Sequence, residues 1–201
     1  MTDLTKDVEW TPAAPARRRL TDSRRGRLMF QTVLPVVVGV AGAVAIGAKA
    51  GIPSALMMCA GIYLVAAATG VPVAAWWSLA GAVPLVGLGA VFDNEWLSLL
   101  ALGVVQAVLL VIGGVRGRWR QRDNLLQVVA AVVFAALAIA SAAGTPVVAA
   151  VILIVGLLAH GVWDVVHHRA GIVVARSYSA FCAGLDAALA LVVLIALVTH
   201  N

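Results

Sequence analysis

Residues 50–92 carry no Asp, Glu, Lys or Arg, and neither do residues 96–115 or 124–159. Three such runs in a chain of 201 residues leave few ways to fold. A helix needs about 20 apolar residues to cross the hydrocarbon core of a bilayer, and each run holds one or two such lengths. A water-soluble fold would have to bury helices that are apolar all round, and a chain this short has too few outer elements to cover them. With 63% apolar and 11% charged residues, composition points the same way. The chain reads as an all-α integral membrane protein.

Turn-forming residues divide the runs. The first span is predicted over 29–48, with Gly39, Gly42 and Gly47 along it, small residues that let helices approach closely. Lys49-Ala50-Gly51 makes a turn, and Pro53 suits the first turn of a second span over 52–70. Gly70 and Pro72 separate it from a third over 72–92, in which Pro84 predicts a kink. Asp93-Asn94-Glu95 forms a solvated turn, with Trp96 at interface depth. A fourth span covers 96–115, with Gln106 near its middle. A basic loop, 116–123, leads to a fifth over 124–143. Gly144-Thr145-Pro146 turns into a sixth over 146–167, and a seventh covers 178–198.

Charge tests that count. With the N-terminus in the cytoplasm, all of the fourteen Lys and Arg residues except Lys49 fall on the cytoplasmic side. That is a strong positive-inside pattern, and merging the second and third spans would break it. The expectation is a seven-transmembrane-helix up-down bundle in the cytoplasmic (inner) membrane. Sequential neighbours would pack antiparallel, the N-terminus would be cytoplasmic and the C-terminus outside. Two regions follow: a basic cytoplasmic tail, 1–28, and the transmembrane domain, 29–198. The polar start delays the first apolar segment too far for a signal peptide. The tail's arginines suit anionic lipid, and without aromatic interleaving they give no reason to expect nucleic acid. Cys59 and Cys182 lie in separate spans and read as small buried packing residues.

The polar content concentrates in His160-Gly-Val-Trp-Asp164-Val-Val-His167-His168 and in Tyr178, Cys182 and Asp186. On the sixth helix, positions 160, 164, 167 and 168 span about 100° of one face; on the seventh, 178, 182 and 186 form one stripe. Folding the hairpin about its turn brings 160 level with 186, 164 with 182 and 168 with 178. His160 and Asp186 then lie about 12 Å inside the cytoplasmic end at ~1.5 Å per residue. Ionisable groups at that depth face a bundle interior or a wet cavity. His160, Asp164, His167, His168 and Asp186 are therefore candidate ligands for a divalent metal such as zinc, iron or manganese. His160, Asp164 and Asp186 are also candidate acid–base groups, and Gln127 lies near enough to join them. The plainer readings are an interhelical hydrogen bond for His160–Asp186 and a helix C-terminal cap for His167 and His168.

The spacing His160-x-x-x-Asp164-x-x-His167-His168 resembles the histidine boxes of membrane desaturases and hydroxylases. In architecture the chain is similar to seven-helix membrane hydrolases related to alkaline ceramidases, which hold zinc with His and Asp from several helices. It departs from both. Desaturase-like enzymes use more histidines than the four present here, and no histidine precedes 160. No lysine follows Lys49, so the Schiff-base lysine of a seven-helix rhodopsin is missing. The likeness is one of architecture and identifies no family.

The resulting expectation is a small membrane enzyme, a hydrolase by that analogy, with a cytoplasm-facing site for a lipid or other apolar substrate and a divalent metal. A proton-coupled transporter or cation permease using the same residues is the alternative, and a non-catalytic membrane subunit the third.

Overall fold

A computed structural model describes residues 24–46 and 53–199. The arginines at 17–19, the Lys49-Ala50-Gly51 turn, Gly47 and His200 lie outside the described residues. Among the described residues there is no strand. Seven helices follow one another: α1 (Arg24–Ala45), α2 (Ser54–Thr69), α3 (Ala74–Val91), α4 (Glu95–Val115), α5 (Arg122–Ala143), α6 (Pro146–Ala170) and α7 (Arg176–Thr199). Six of them are long and apolar enough to cross a membrane; α2 is apolar but shorter. The outer surface is studded with bare Val, Leu and Trp side chains, among them Val111, Val162, Leu100 and Trp77, each at least 66% exposed. On helices of this length and composition, such a surface suits the hydrocarbon of a bilayer. This is a multi-pass membrane protein.

Local sequence explains the helix ends. Gly70 closes α2 in the left-handed region, at φ 73°, where glycine meets no Cβ penalty. The Asn94 side chain accepts from the Trp96 N–H at 3.1 Å and starts α4. Pro146 occupies the first turn of α6, and Gly171 caps its end at φ 67°. Helix α1 already runs through 24–28, which the sequence assigned to the tail, and is wound as a π-helix over Met29–Val33. Pro35 accounts for that winding: it has no N–H for the carbonyl of Gln31, and its ring crowds that carbonyl. Pro84, by contrast, lies inside a continuous α3.

Packing makes two groups. Helix α7 lies between α6 and α1, while α2 is enclosed by α3, α4 and α5 and also touches α6; α5–α6 contacts join the groups. So α1 packs chiefly on α7, not on its sequence neighbour α2 as a strictly sequential bundle requires. Glycines allow it. A Cβ on Gly39 would strike the backbone of Phe181 and Leu185, and one on Gly184 would come within 2.7 Å of the Val36 carbonyl oxygen.

Helix α2 has only 16 residues, about 24 Å of helix, yet it reaches along α4 at both ends. Its first N–H, on Ser54, donates to Glu95 Oε1 at 2.6 Å, and near its last turn the Ala67 carbonyl accepts from Arg118 Nε at 3.1 Å. Glu95 is thus a cap for a neighbouring helix, beyond the solvated turn expected of it. An enclosed helix capped by side chains can be shorter than one whose ends must reach water. Inside it, Gly61 leaves room for the Gln106 amide, which donates to the Met57 carbonyl at 2.7 Å.

Candidate functional site

The junction of the two helix groups holds a cluster of buried polar side chains. α6 supplies His160 and Asp164, α7 supplies Asp186, and α2 supplies Cys59 and Tyr63. All five are within 3% of complete burial. The i, i+4 spacing on α6 stacks His160 under Asp164, and the hairpin brings Asp186 level with His160, as the fold-back of the sequence requires.

His160 is the hub. Its Nδ1 hydrogen-bonds Asp186 Oδ2 at 2.7 Å and stands 3.2 Å from Asp164 Oδ2, a buried oxygen with no hydrogen-bond partner among the described residues. Its Nε2 is buried with no hydrogen-bond partner among the described residues. Aromatic edges fix the ring: Phe134 at 5.3 Å and 86°, and Tyr63 at 5.5 Å and 81°. The Tyr63 hydroxyl donates to Asp164 Oδ1 at 2.6 Å, and the Cys59 thiol lies 3.8 Å from Asp186 Oδ1 as a weak donor. One ligand atom from each of Cys59, His160 and Asp186 can be chosen with all three within 4.8 Å of one another.

The other two histidines turn elsewhere. His167 Nδ1 donates to the Trp163 carbonyl at 2.9 Å, which leaves Nε2 to accept from Gln127 Nε2 at 3.1 Å. The same amide's oxygen accepts from the Trp163 indole at 3.3 Å. Both ring nitrogens of His167 are therefore engaged, and it meets the cluster only through the ring of Tyr63, 5.0 Å away. His168 lies on the adjoining face. Its Nδ1 donates to the Arg176 carbonyl at 2.9 Å, and its Nε2 pairs with the Thr32 hydroxyl of α1 at 3.2 Å. So the structure gathers His160, Asp164 and Asp186, and gives His167 and His168 other partners. Gln127 joins the network through His167.

Sequence reasoning missed Cys59 as a functional group and did not consider Tyr63. Their signal is present: Cys59-x-x-x-Tyr63 is an i, i+4 pair, one stripe of a span almost free of other polar side chains.

An apolar cavity of about 250 Å³ adjoins the cluster, and Cys59 and Asp186 are among its lining residues. Its remaining walls come from α2, α3, α6 and α7, including Val86, Leu157 and Leu189. These positions lie on the side of the cluster away from the α6–α7 turn, and Val83 and Ala90 at its rim are exposed on the lipid-facing surface. The cavity extends from the cluster toward the end of the bundle opposite the α6–α7 turn.

No protein family, no curated protein and no solved structure matches the chain. The chemistry must be read from these residues alone.

The Tyr63–Asp164 bond offers a direct test of how tightly the cluster is built. Tyr63→Phe removes one hydroxyl and keeps the ring, and is expected to cost about 1 kcal/mol. Reversible unfolding in mixed micelles measures it; unchanged stability would show that the short bond holds nothing in place.

Proposed function

We propose that this protein is an intramembrane enzyme that uses a divalent metal to act on a lipid or other apolar substrate entering sideways from the bilayer. The observation that carries the reading is the apolar cavity in contact with Cys59 and Asp186. Apolar walls ending on a few convergent polar groups are what a site for a greasy substrate needs. A bundle that merely packs would close such a space.

Thiolate, imidazole and carboxylate suit zinc in kind and number, with one coordination position left for substrate or water. In this reading Cys59, His160 and Asp186 hold the metal, and Asp164 completes the ligand set or acts as the base. A metal there supplies Lewis-acid polarisation and an activated water for hydrolysis. Tyr63 orients Asp164, and Phe134 and Tyr63 hold the imidazole plane. His167 and His168 contribute packing. The topology we assign has seven spans, with the N-terminus cytoplasmic and the C-terminus outside, in the inner membrane. The capping of α2 at both ends level with α4 supports counting it as a span, and the basic residues at one end support the orientation.

Elemental analysis of the detergent-purified full chain is the test, after incubation with zinc, iron or manganese and removal of excess. About one equivalent is expected in the wild type. Asp186→Ala, His160→Ala and Cys59→Ala are each expected to lose it, by tenfold or more in affinity at a protein ligand. Metal bound equally well by all three variants would show that the cluster is not the site. No metal in the wild type would remove the metalloenzyme reading.

Proton-coupled transport is the second reading, favoured by a specific observation: one imidazole between two buried carboxylates. With all three ionised the cluster would carry a net negative charge in a low-dielectric interior, a state that calls for a further proton or cation. Proton uptake by reconstituted vesicles, lost in Asp164→Asn, would support it in place of the enzyme.

A further inference from the structure

A cleft of about 680 Å³ opens where the start of α1 meets the α6–α7 turn, and its lining includes four arginines: Arg24, Arg27, Arg169 and Arg176. Among the described residues no carboxylate lines it. Arg27 is already engaged, but Arg24, Arg169 and Arg176 bring like charges together from three helices, an arrangement that favours an anionic occupant.

The floor of the cleft is built. His168 bridges Thr32 of α1 and the Arg176 carbonyl at the start of α7, fixing the distance between the two walls. Arg176 is placed by the bare surface of Gly171: a Cβ there would stand 2.8 Å from its Nε and Nη2. The turn itself is anchored by the Ala175 N–H, which donates to the Pro72 carbonyl at 3.2 Å. Beside the cleft, Leu28, Met29 and Phe30 of α1 are each more than half exposed. The cleft thus sits at the helix ends, with guanidinium groups inside and an apolar flank alongside.

From this geometry we infer that the cleft binds the phosphate of an anionic phospholipid headgroup, whose acyl chains lie along α1. Guanidinium groups match phosphate oxygens with paired hydrogen bonds. The exposed apolar flank distinguishes a lipid from a free phosphate, which needs none. The inference is independent of the chemistry proposed for the His160 cluster.

The experiment is native mass spectrometry of the full chain, released from nanodiscs of phosphatidylglycerol or of phosphatidylcholine, to count retained lipids. Retention of one phosphatidylglycerol and no phosphatidylcholine is expected. Arg169→Gln with Arg176→Gln is expected to weaken retention about thirtyfold, since two basic residues near the surface contribute ~1 kcal/mol each. Arg116→Gln with Arg120→Gln removes the same charge from another turn that does not line the cleft, and is expected to weaken it less than about threefold, well below the ~1 kcal/mol per residue of arginines at the headgroup. The conservative pair Arg169→Lys with Arg176→Lys keeps the charge and is expected to fall between. Circular dichroism of each variant checks that the bundle is intact. Equal losses in the two glutamine pairs would overturn the inference, because general surface charge would then explain the binding. So would retention of both lipids alike, or complete displacement by millimolar inorganic phosphate, which would assign the cleft to the free anion. A wild type that retains no lipid would also overturn it and leave an acidic protein segment as the occupant.

Discussion

Gly184→Val is expected to destabilise the bundle by about 3 kcal/mol and to loosen α1 from α7, the upper end of what overpacking costs in a tight interior. The cause is backbone against backbone. A Cβ at 184 would meet the Val36 carbonyl oxygen at 2.7 Å and the Val36 Cα at 3.1 Å, and neither atom can rotate away as a side chain can. Gly39→Val is expected to behave alike, since it strikes the backbone of Phe181 and Leu185 from the other side. Gly42 provides the internal comparison. Its added Cβ would stand 3.5 Å from Leu185 Cδ1, an ordinary contact, so Gly42→Ala is expected to be neutral or to stabilise by up to about 1 kcal/mol through lower chain entropy. Denaturant unfolding in mixed micelles reads all three. If Gly184→Val and Gly42→Ala proved equally stable, the close crossing of α1 on α7 would be wrong.

That crossing also marks the limit of what the sequence discloses. Several helix ends were legible because they are local chemistry: Gly70, the Asp93-Asn94-Glu95 turn and Pro146 each act within a turn of their own position, whereas α6 runs to Ala170, three residues beyond the expected 167, before Gly171 caps it. The His160–Asp186 pairing was legible because two polar stripes joined by a short turn can meet at only one register. Which helix lies beside α1 was not. Beyond Thr32 its residues are apolar on every face, so no stripe points to α7, and the glycines that permit contact do not name a partner. Cys59 and Tyr63 stayed hidden for a related reason. A buried thiol or phenol in an apolar span reads as packing until the helix carrying it is placed, and α2 is placed by contacts with four other helices. His168 shows the converse error. Four polar residues within about 100° of one face look like one site, but the last of them lies just far enough round α6 to meet Thr32 of α1. The caps on α2 were invisible because Glu95 and Arg118 act on a helix more than forty residues earlier.

Replacing His160, Asp164 and Asp186 together by leucine is expected to leave the bundle within about 1 kcal/mol of wild-type stability, or above it, while Asp186→Leu alone costs about 3 kcal/mol. The single change leaves the remaining imidazole and carboxylate to satisfy one another in a dry interior. The 3.2 Å approach of Asp164 to His160 Nδ1 and the Tyr63 hydroxyl on Asp164 Oδ1 then remain to offset their desolvation. The triple change removes every buried charge at once and restores apolar contacts with Phe134, Leu157 and Leu189, which the cavity and the aromatic walls can accommodate with small shifts. Interhelical hydrogen bonds in membranes are worth only ~0.6 kcal/mol on average, so the polar cluster has little stability of its own to lose. The comparison separates the three readings that the residues admit. A non-catalytic subunit that keeps His160 and Asp186 to fix its packing should lose stability or a unique fold in the triple variant. An enzyme or a transporter should keep its fold and lose metal binding or proton uptake. Measured stabilities of the single and triple variants that simply add would mean the three side chains are not coupled, against the distances of 2.7 and 3.2 Å that join them. A stable, apolar, inactive bundle would instead mean that the cost of burying these groups is borne for chemistry.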